Sequence, residues 1–244
     1  MILDNGINEK FNIYNQLEDI STYYRFFDFI THKFTGNNEI SIRQIVDKQD
    51  LKLLSEARKR MYGKHDEYFK KLYNDDIYID EMDYRSYIFA CYYQGEIIGT
   101  QRATVYPFEI NAYLNASEIN QFLGNDYQNN YVEFSRLLVD KDAKVKNLSN
   151  MLGFVTGSLI ALATKTENYI TYSKPRLKRK SLDFSADTIQ FQINDRNDEV
   201  YELYKGSMIN DIRRIFSIKG DDTESTLKNF EKFILKTSKT KDEA

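Results

Sequence analysis

The stretch Tyr131-Val132-Glu133-Phe134-Ser135-Arg136-Leu137-Leu138-Val139 reads as a buried strand, yet it carries a glutamate and an arginine. Strict alternation puts Glu133 and Ser135 on one face with Tyr131, and Val132, Phe134 and Leu138 on the other with Arg136. A short linker over 140–146 follows, then a strongly apolar helix from about Asn147 to Lys165. A strand bearing a carboxylate, a turn and a helix N-terminus can together hold a base beside an anion or a thioester. Burial on an apolar strand raises a carboxyl pKa toward the range where it can take a proton near neutrality, whereas a salt bridge to Arg102 or Arg136 pushes it the other way. Both readings of Glu133 stand at this point. Ser135, on the same face, can hold a proton or a substrate carbonyl, or can be no more than a small strand residue. Arg136 points away from Glu133 unless a bulge intervenes.

The other charged groups sort themselves by spacing. Asp80 and Asp83 close an acidic connector, and Arg102 and Arg136 are the cations expected to fix it as an ion-pair network. The run from Asp75 to Asp83 lacks the regular spacing of a calcium loop and has no histidine partner, so it predicts no metal site. His32 and His65 stand far apart with no ligand or triad pattern around them. Cys91 is the single cysteine and lies in the apolar run Ser86–Tyr93, which excludes an intramolecular disulfide and predicts a buried core thiol. Lys174, Arg176, Lys178, Arg179 and Lys180 place five positive charges within seven residues of a chain whose net charge is −3. Such a patch is either a solvated helix face or a dock for an acidic partner, and Lys144 and Lys146 can lie on the same side. No nucleic-acid recognition motif accompanies it, and the overall charge gives no argument for nucleic acid.

Positioning these groups requires a sheet. The 244 residues, 41% of them hydrophobic, are enough for one domain with extensions, or at most two small domains. Residues 1–38 form an N-terminal helical segment around the aromatic cluster Tyr23-Tyr24-Arg25-Phe26-Phe27, ending in the turn Gly36-Asn37-Asn38. A strand spans Glu39–Val46. Asp47 caps a helix through Met61, with Leu51, Leu54, Arg58 and Met61 along one stripe. A second helix covers about 64–73. Ser86–Tyr93 and Glu96–Tyr106 form a hairpin about Gln94-Gly95, and Pro107 ends it. A short helix is expected near Ala116–Leu123. The apolar helix carries Leu148, Leu152, Val155, Leu159 and Leu162 at helical spacing. Its Gly153 and Gly157 each cost about 1 kcal/mol against alanine, which points to close packing on a sheet. Further elements are a strand at 168–172, a short basic helix at 173–182 and a strand at 188–193. The main domain thus covers 39–194, and a C-terminal helical extension over 195–244 has helices near 200–216 and 224–236. The N-terminus has no signal-peptide pattern, and no run approaches the roughly 18 apolar residues of a membrane helix. Both features point to a cytoplasmic protein without a membrane span.

This order of elements resembles the N-acyltransferase superfold called GNAT, an α/β fold with a mixed central sheet flanked by helices. Within it the chain is similar to the acyl-homoserine-lactone synthases and N-acyl amino acid synthases. The resemblance covers about 39–193 and rests on three matches in order. They are Asp80-Glu81-Met82-Asp83, then Ile97-Ile98-Gly99-Thr100-Gln101-Arg102, then Glu133-Phe134-Ser135-Arg136. It implies an acyltransferase in which Glu133 is the general base, directly or through one water, with Ser135 beside it. It also implies that backbone amides freed where the two central strands splay stabilise the developing oxyanion, and that Asp80, Asp83, Arg102 and Arg136 shape the acceptor pocket. No permanent cofactor is implied. Lys144-Val145-Lys146-Asn147 stands where the superfold has a glycine-rich coenzyme A loop. That suits an acyl group delivered on an acyl carrier protein, for which Lys144, Lys146, Lys174, Arg176, Lys178, Arg179 and Lys180 would be the contact surface. The chain has no tryptophan, a residue the lactone synthases carry in their mobile N-terminal region. The expected reaction moves a fatty-acyl group from the carrier thioester to the amine of an amino acid or a derivative. The alternatives are a coenzyme-A-dependent small-acyl transferase and a non-catalytic acyl-binding or protein-interaction member of the fold.

Overall fold

The computed structural model describes residues 16–63, 78–175, 185, 187–193 and 199–239. The expected helix at 64–73, His65, the start of the acidic connector and most of the basic run at 174–180 lie outside them. The helices are α1 (Ser21–Thr35), α2 (Lys48–Gly63), α3 (Ala116–Leu123), α4 (Tyr127–Asn130), α5 (Leu148–Thr164), α6 (Met208–Phe216) and α7 (Thr223–Lys239). The strands are β1 (Ile40–Gln44), β2 (Tyr87–Tyr93), β3 (Glu96–Thr104), β4 (Tyr131–Val139), β5 (Asn168–Ser173), β6 (Ile189–Ile193) and β7 (Glu199–Ser207).

The strands form one seven-stranded sheet in the order β1-β2-β3-β4-β5-β7-β6. Every pairing is antiparallel except β4 with β5. That parallel pair needs a crossover, and α5 supplies it. The β2–β3 hairpin turns on Gln94 and Gly95, both at positive φ (51° and 82°), the backbone twist a two-residue hairpin prefers. The parallel pairing runs only from Tyr131↔Asn168 to Phe134↔Thr171. Beyond it β4 continues to Val139 alongside β3, and β5 continues to Ser173 alongside β7. The two central strands therefore part after Phe134.

The two faces of the sheet are covered differently. One face packs against α5, α1, α6 and α7 in a single core that includes Val132, Phe134, Leu152, Val155 and Leu159. All five leucines and valines of the α5 stripe are buried, and so is most of the rest of that helix, as expected where a helix is covered on several sides. Cys91 is buried in the same core, and burial pushes its thiol up to about 12. The opposite face carries two separate apolar patches. Leu51, Leu54 and Ala57 of α2 cover β1–β3, while Phe108, Ile110 and Ile119 cover β5, β6 and β7. Between the patches, over β3 and β4, lies a polar seam.

Glycines mark where backbones meet. A Cβ on Gly99 would lie 3.2 Å from the Leu138 carbonyl oxygen and 3.4 Å from Leu152, so the Ile-Gly-Thr glycine lets α5 settle against β3. A Cβ on Gly206 would lie 2.5 Å from the ring of Tyr169, its cross-strand partner. Gly153 and Gly157 are not of this kind. Added Cβ atoms there would meet their nearest neighbours at 3.9 Å and 3.6 Å, ordinary contact distances, so close packing does not account for them.

The expected helix over 200–216 is corrected in its first half. Residues Glu199–Ser207 are β7, and only Met208–Phe216 is helical. The segment Glu-Val-Tyr-Glu-Leu-Tyr-Lys has residues that suit either state. Hydrogen-bonded neighbours on both sides, β5 and β6, decide in favour of the strand. At the other end of the chain, Phe26 and Phe27 of α1 pack edge-on against Phe230 of α7, and Phe26 also meets Phe216. Among the described residues no helix is long and apolar enough to cross a membrane.

Candidate acyl-transfer site

Glu133 sits in the polar seam, opposite Thr104 of β3 and Ile170 of β5, and is fully buried. A 3₁₀ turn, Glu109–Ala112, lies over it, held down by Phe108 and Ile110 in the second apolar patch. The Glu109 backbone N–H donates to Glu133 Oε2 and the Ile110 amide also favours its charged form, while among the described residues Oε1 has no hydrogen-bond partner. Burial pushes the Glu133 carboxyl up to about 8, and the Glu109 carboxylate adds to this, against the opposing pull of Arg102.

The neighbouring strand departs from simple alternation. Gly99↔Val139 and Thr100↔Leu138 are in one register, and Arg102↔Ser135 through Thr104↔Glu133 in another, so β4 carries one extra residue. Arg136, at φ 52°, is where the chain takes up the excess, and its carbonyl accepts from Thr100 Oγ1 at 3.2 Å. This bulge turns Arg136 from the Phe134 face, where alternation placed it, to the Glu133 face. There its Nη2 lies 3.0 Å from Asp80 Oδ2 and 3.0 Å from Glu109 Oε1.

Arg102 is the hub, with no solvent exposure. Its Nε donates to Ser135 Oγ (3.0 Å), Nη1 to Asp80 Oδ1 (2.6 Å) and Asp83 Oδ1 (3.2 Å), and Nη2 to Glu109 Oε2 (2.6 Å). Arg58 reaches down from α2 and grips Asp83 with both terminal nitrogens, at 2.6 Å and 3.0 Å. Among the described residues the Arg58, Arg102 and Arg136 guanidiniums thus match the Asp80, Asp83 and Glu109 carboxylates in number. Among the described residues Glu133 is the fourth carboxylate of the seam and has no cation of its own. Burial works against ionisation of Asp80 too, but Arg102 and Arg136 outweigh it and hold that carboxyl well below the usual range. Burial likewise opposes the Arg102 cation, and the surrounding carboxylates, Asp83 foremost, keep it firmly protonated. The ionic network belongs to Asp80, Asp83 and Glu109, and the desolvated carboxyl is Glu133.

Glu133, Ser135, Asp80, Asp83, Arg102 and Arg136 therefore meet in one place. Ser135 Oγ accepts from Arg102 Nε. Two further members, Arg58 and Glu109, escaped the sequence reading. Arg58 had a signal: a charge on the apolar stripe of α2 calls for a buried countercharge. Glu109 follows Pro107 in a stretch with no periodicity, and nothing there announced it.

The donor-side residues lie elsewhere. Lys144 and Lys146 are exposed on the loop into α5, beside an open cavity of about 570 Å³ also lined by Lys33, Phe34 and Gly36 from the end of α1. Asn147 Nδ2 donates to the Phe34 carbonyl at 3.2 Å and joins the two segments. Lys144 and Asn147 both adopt positive φ, 51° and 58°, the conformation glycine usually supplies. Lys174 pairs with Glu199 at 2.6 Å on the surface. Arg176, Lys178, Arg179 and Lys180 lie outside the described residues.

No protein-family model matches the chain, and no curated protein is detectably similar to it in sequence. Solved structures are similar in fold. A coenzyme-A-dependent acyl-homoserine lactone synthase, BjaI, solved with SAM and isopentyl-CoA, matches with a TM-score of 0.52 at 12% identity, over 70% of this chain and 83% of its own. FeeM, an N-acyl amino acid synthase from uncultured soil microbes, matches with a TM-score of 0.51 at 14% identity, over 71% and 93%. An acetyltransferase of the GNAT family from Streptococcus pneumoniae matches with a TM-score of 0.48 at 13% identity, over 69% and 99%. The chain has the GNAT fold.

Proposed function

We propose that this protein is an N-acyltransferase that moves a fatty-acyl group from an acyl carrier protein thioester to the amine of an amino acid or an amino-acid-derived acceptor. One observation carries the reading. Glu133 is a fully buried carboxyl, outside the ion-pair tally of its neighbours, with Oε1 unpartnered, at the place where β4 and β5 part. Structural ion pairs are closed on themselves. This group is left open to exchange a proton.

In the proposed reaction Glu133 takes a proton from the acceptor ammonium, directly or through one water. The freed amine attacks the thioester carbonyl, and the C–N bond forms as the C–S bond breaks. The departing thiolate takes up one proton, and the second proton of the original ammonium goes to solvent. Backbone amides of β4 beyond Phe134, unpaired on the β5 side, are available to the oxyanion. Arg102 and Arg136 hold the Asp80–Asp83 segment and the Glu109 turn around the acceptor. Lys144 and Lys146 face the acidic donor, with Lys33 beside them.

A second donor, coenzyme A, is favoured by the backbone at Lys144 and Asn147. Left-handed residues there can present amides to a pyrophosphate as glycines do, which weakens the inference drawn from the missing glycines. The deciding experiment offers purified protein a panel of acyl-carrier and acyl-coenzyme A thioesters with amino acids and reads the products by mass spectrometry. N-acyl product that disappears in Glu133→Gln is expected. Equal product from that variant would remove Glu133 as the base, and no product from any pair would remove the reading.

A further inference from the structure

Arg85 ends the 3₁₀ turn Asp83–Arg85, the same turn whose Asp83 is clasped by Arg58 and Arg102. Its neighbour Ser86 exchanges a 2.7 Å hydrogen bond with Thr104, the residue directly across the ladder from Glu133. Arg85 therefore stands at the edge of the polar seam, next in sequence to Ser86, whose hydroxyl bonds the residue that faces the proposed base.

Its guanidinium differs from the others around the site. Arg58, Arg102 and Arg136 each hold a carboxylate within 3.0 Å. Among the described residues the Arg85 side chain makes only one hydrogen bond, from Nε to the Met82 thioether sulfur at 3.3 Å. Burial and the Arg102 cation weaken its hold on its proton, and the Glu133 carboxylate strengthens it, so the three groups share one field. A half-buried guanidinium whose planar fork of donors meets no oxygen acceptor among the described residues is suited to an anion that arrives from outside.

We propose that Arg85 receives the carboxylate of an α-amino acid acceptor whose ammonium faces Glu133. The inference rests on the acyl-transfer reading and names the acceptor class within it. With Arg85 included, four guanidiniums stand beside four carboxylates among the described residues, and the two members without a counter-ion there are Arg85 and Glu133. A zwitterion answers both at once and leaves the seam neutral. An amine without a carboxylate answers only Glu133.

The test compares binding of proteinogenic amino acids with binding of their α-amides, by calorimetry on the full chain, in wild type, Arg85→Met and Arg85→Lys. Wild type is expected to prefer at least one free acid over its amide by about tenfold or more, the scale of one lost charge-assisted hydrogen bond. Arg85→Met should erase that preference while leaving amide affinity unchanged, and Arg85→Lys should keep part of it. Equal affinity of wild type for acid and amide, a preference that survives in Arg85→Met, or binding of neither would overturn the proposal. Selective binding of the acid by a wild type that transfers no acyl group would leave the Arg85 site standing and sink the transferase reading instead.

Discussion

At the scale of the residue, one ionisation governs the proposed reaction. Glu133 keeps its proton to about 8, whereas an unfolded chain releases it near the ordinary value of 4.5. Between those values the native state binds more protons than the unfolded state, so stability falls as pH rises through that window. Urea unfolding of wild type at successive pH values should show this decline, and Glu133→Gln should flatten it. An unchanged slope in the variant would mean that another group titrates there. Activity should run the opposite way, because a general base works only when ionised. The wild-type kcat/KM should climb with pH and level off above about 8, a limb that no variant lacking the carboxyl can show. Stability and activity thus pull against each other at a single carboxyl. That is a common signature of functional sites, and it separates Glu133 from Asp80, which its arginines keep ionised throughout.

Among the elements, the strand–turn–helix unit from β4 to α5 was the most legible part of the chain. β4 occupies the residues expected of it, and so does α3, because their alternation and capping signals are local. Asp47 was expected to cap α2, and its Oδ1 accepts from the Asp50 N–H at 2.8 Å. The bulge at Arg136 was not legible, since it depends on how β4 must pair with β3 and no residue type marks it. The strand at Glu199–Ser207 was missed for a similar reason: its hydrogen-bond partners are remote in sequence. The glycines of α5 give a prediction at this scale. Gly153→Ala and Gly157→Ala meet only ordinary contacts and relieve a helix-propensity cost, so each should raise stability by about 1 kcal/mol. Thermal or urea unfolding would detect it, and a loss of stability would show that the packing of Gln101 or Met208 against the helix has no room to spare.

Across the whole molecule, the two ends of the described chain close on each other. Phe26 and Phe27 of α1, Phe216 of α6 and Phe230 of α7 form one aromatic cluster on the face of the sheet opposite Glu133. Tyr23 donates to Glu231 at 2.5 Å across the same junction. Phe230→Ala should cost about 3–5 kcal/mol, the usual range for emptying a fully buried ring site, and should do so without altering amine or acyl affinity at the temperature where the variant remains folded. A small loss would show that α1 and α7 are held by their other contacts. This division of labour leaves one face of the sheet for cohesion and the seam on the other for the proposed chemistry.

By itself the sequence determined most of the local elements, the fold class, the placement of a carboxylate on the central strand and the burial of Cys91. Each of these follows from periodicity, turn chemistry or the order of a few motifs, which are properties of neighbouring residues. Only the tertiary structure decided that Arg136 shares the face of Glu133, that Arg58 and Glu109 complete the network, and that three guanidiniums answer three other carboxylates. The physical reason is that the ionisation of a buried group is set by the sum of the charges packed around it. Those charges come from α2, the Asp83–Arg85 turn, β3, the Glu109 turn and β4, elements far apart along the chain that meet only when the sheet is assembled.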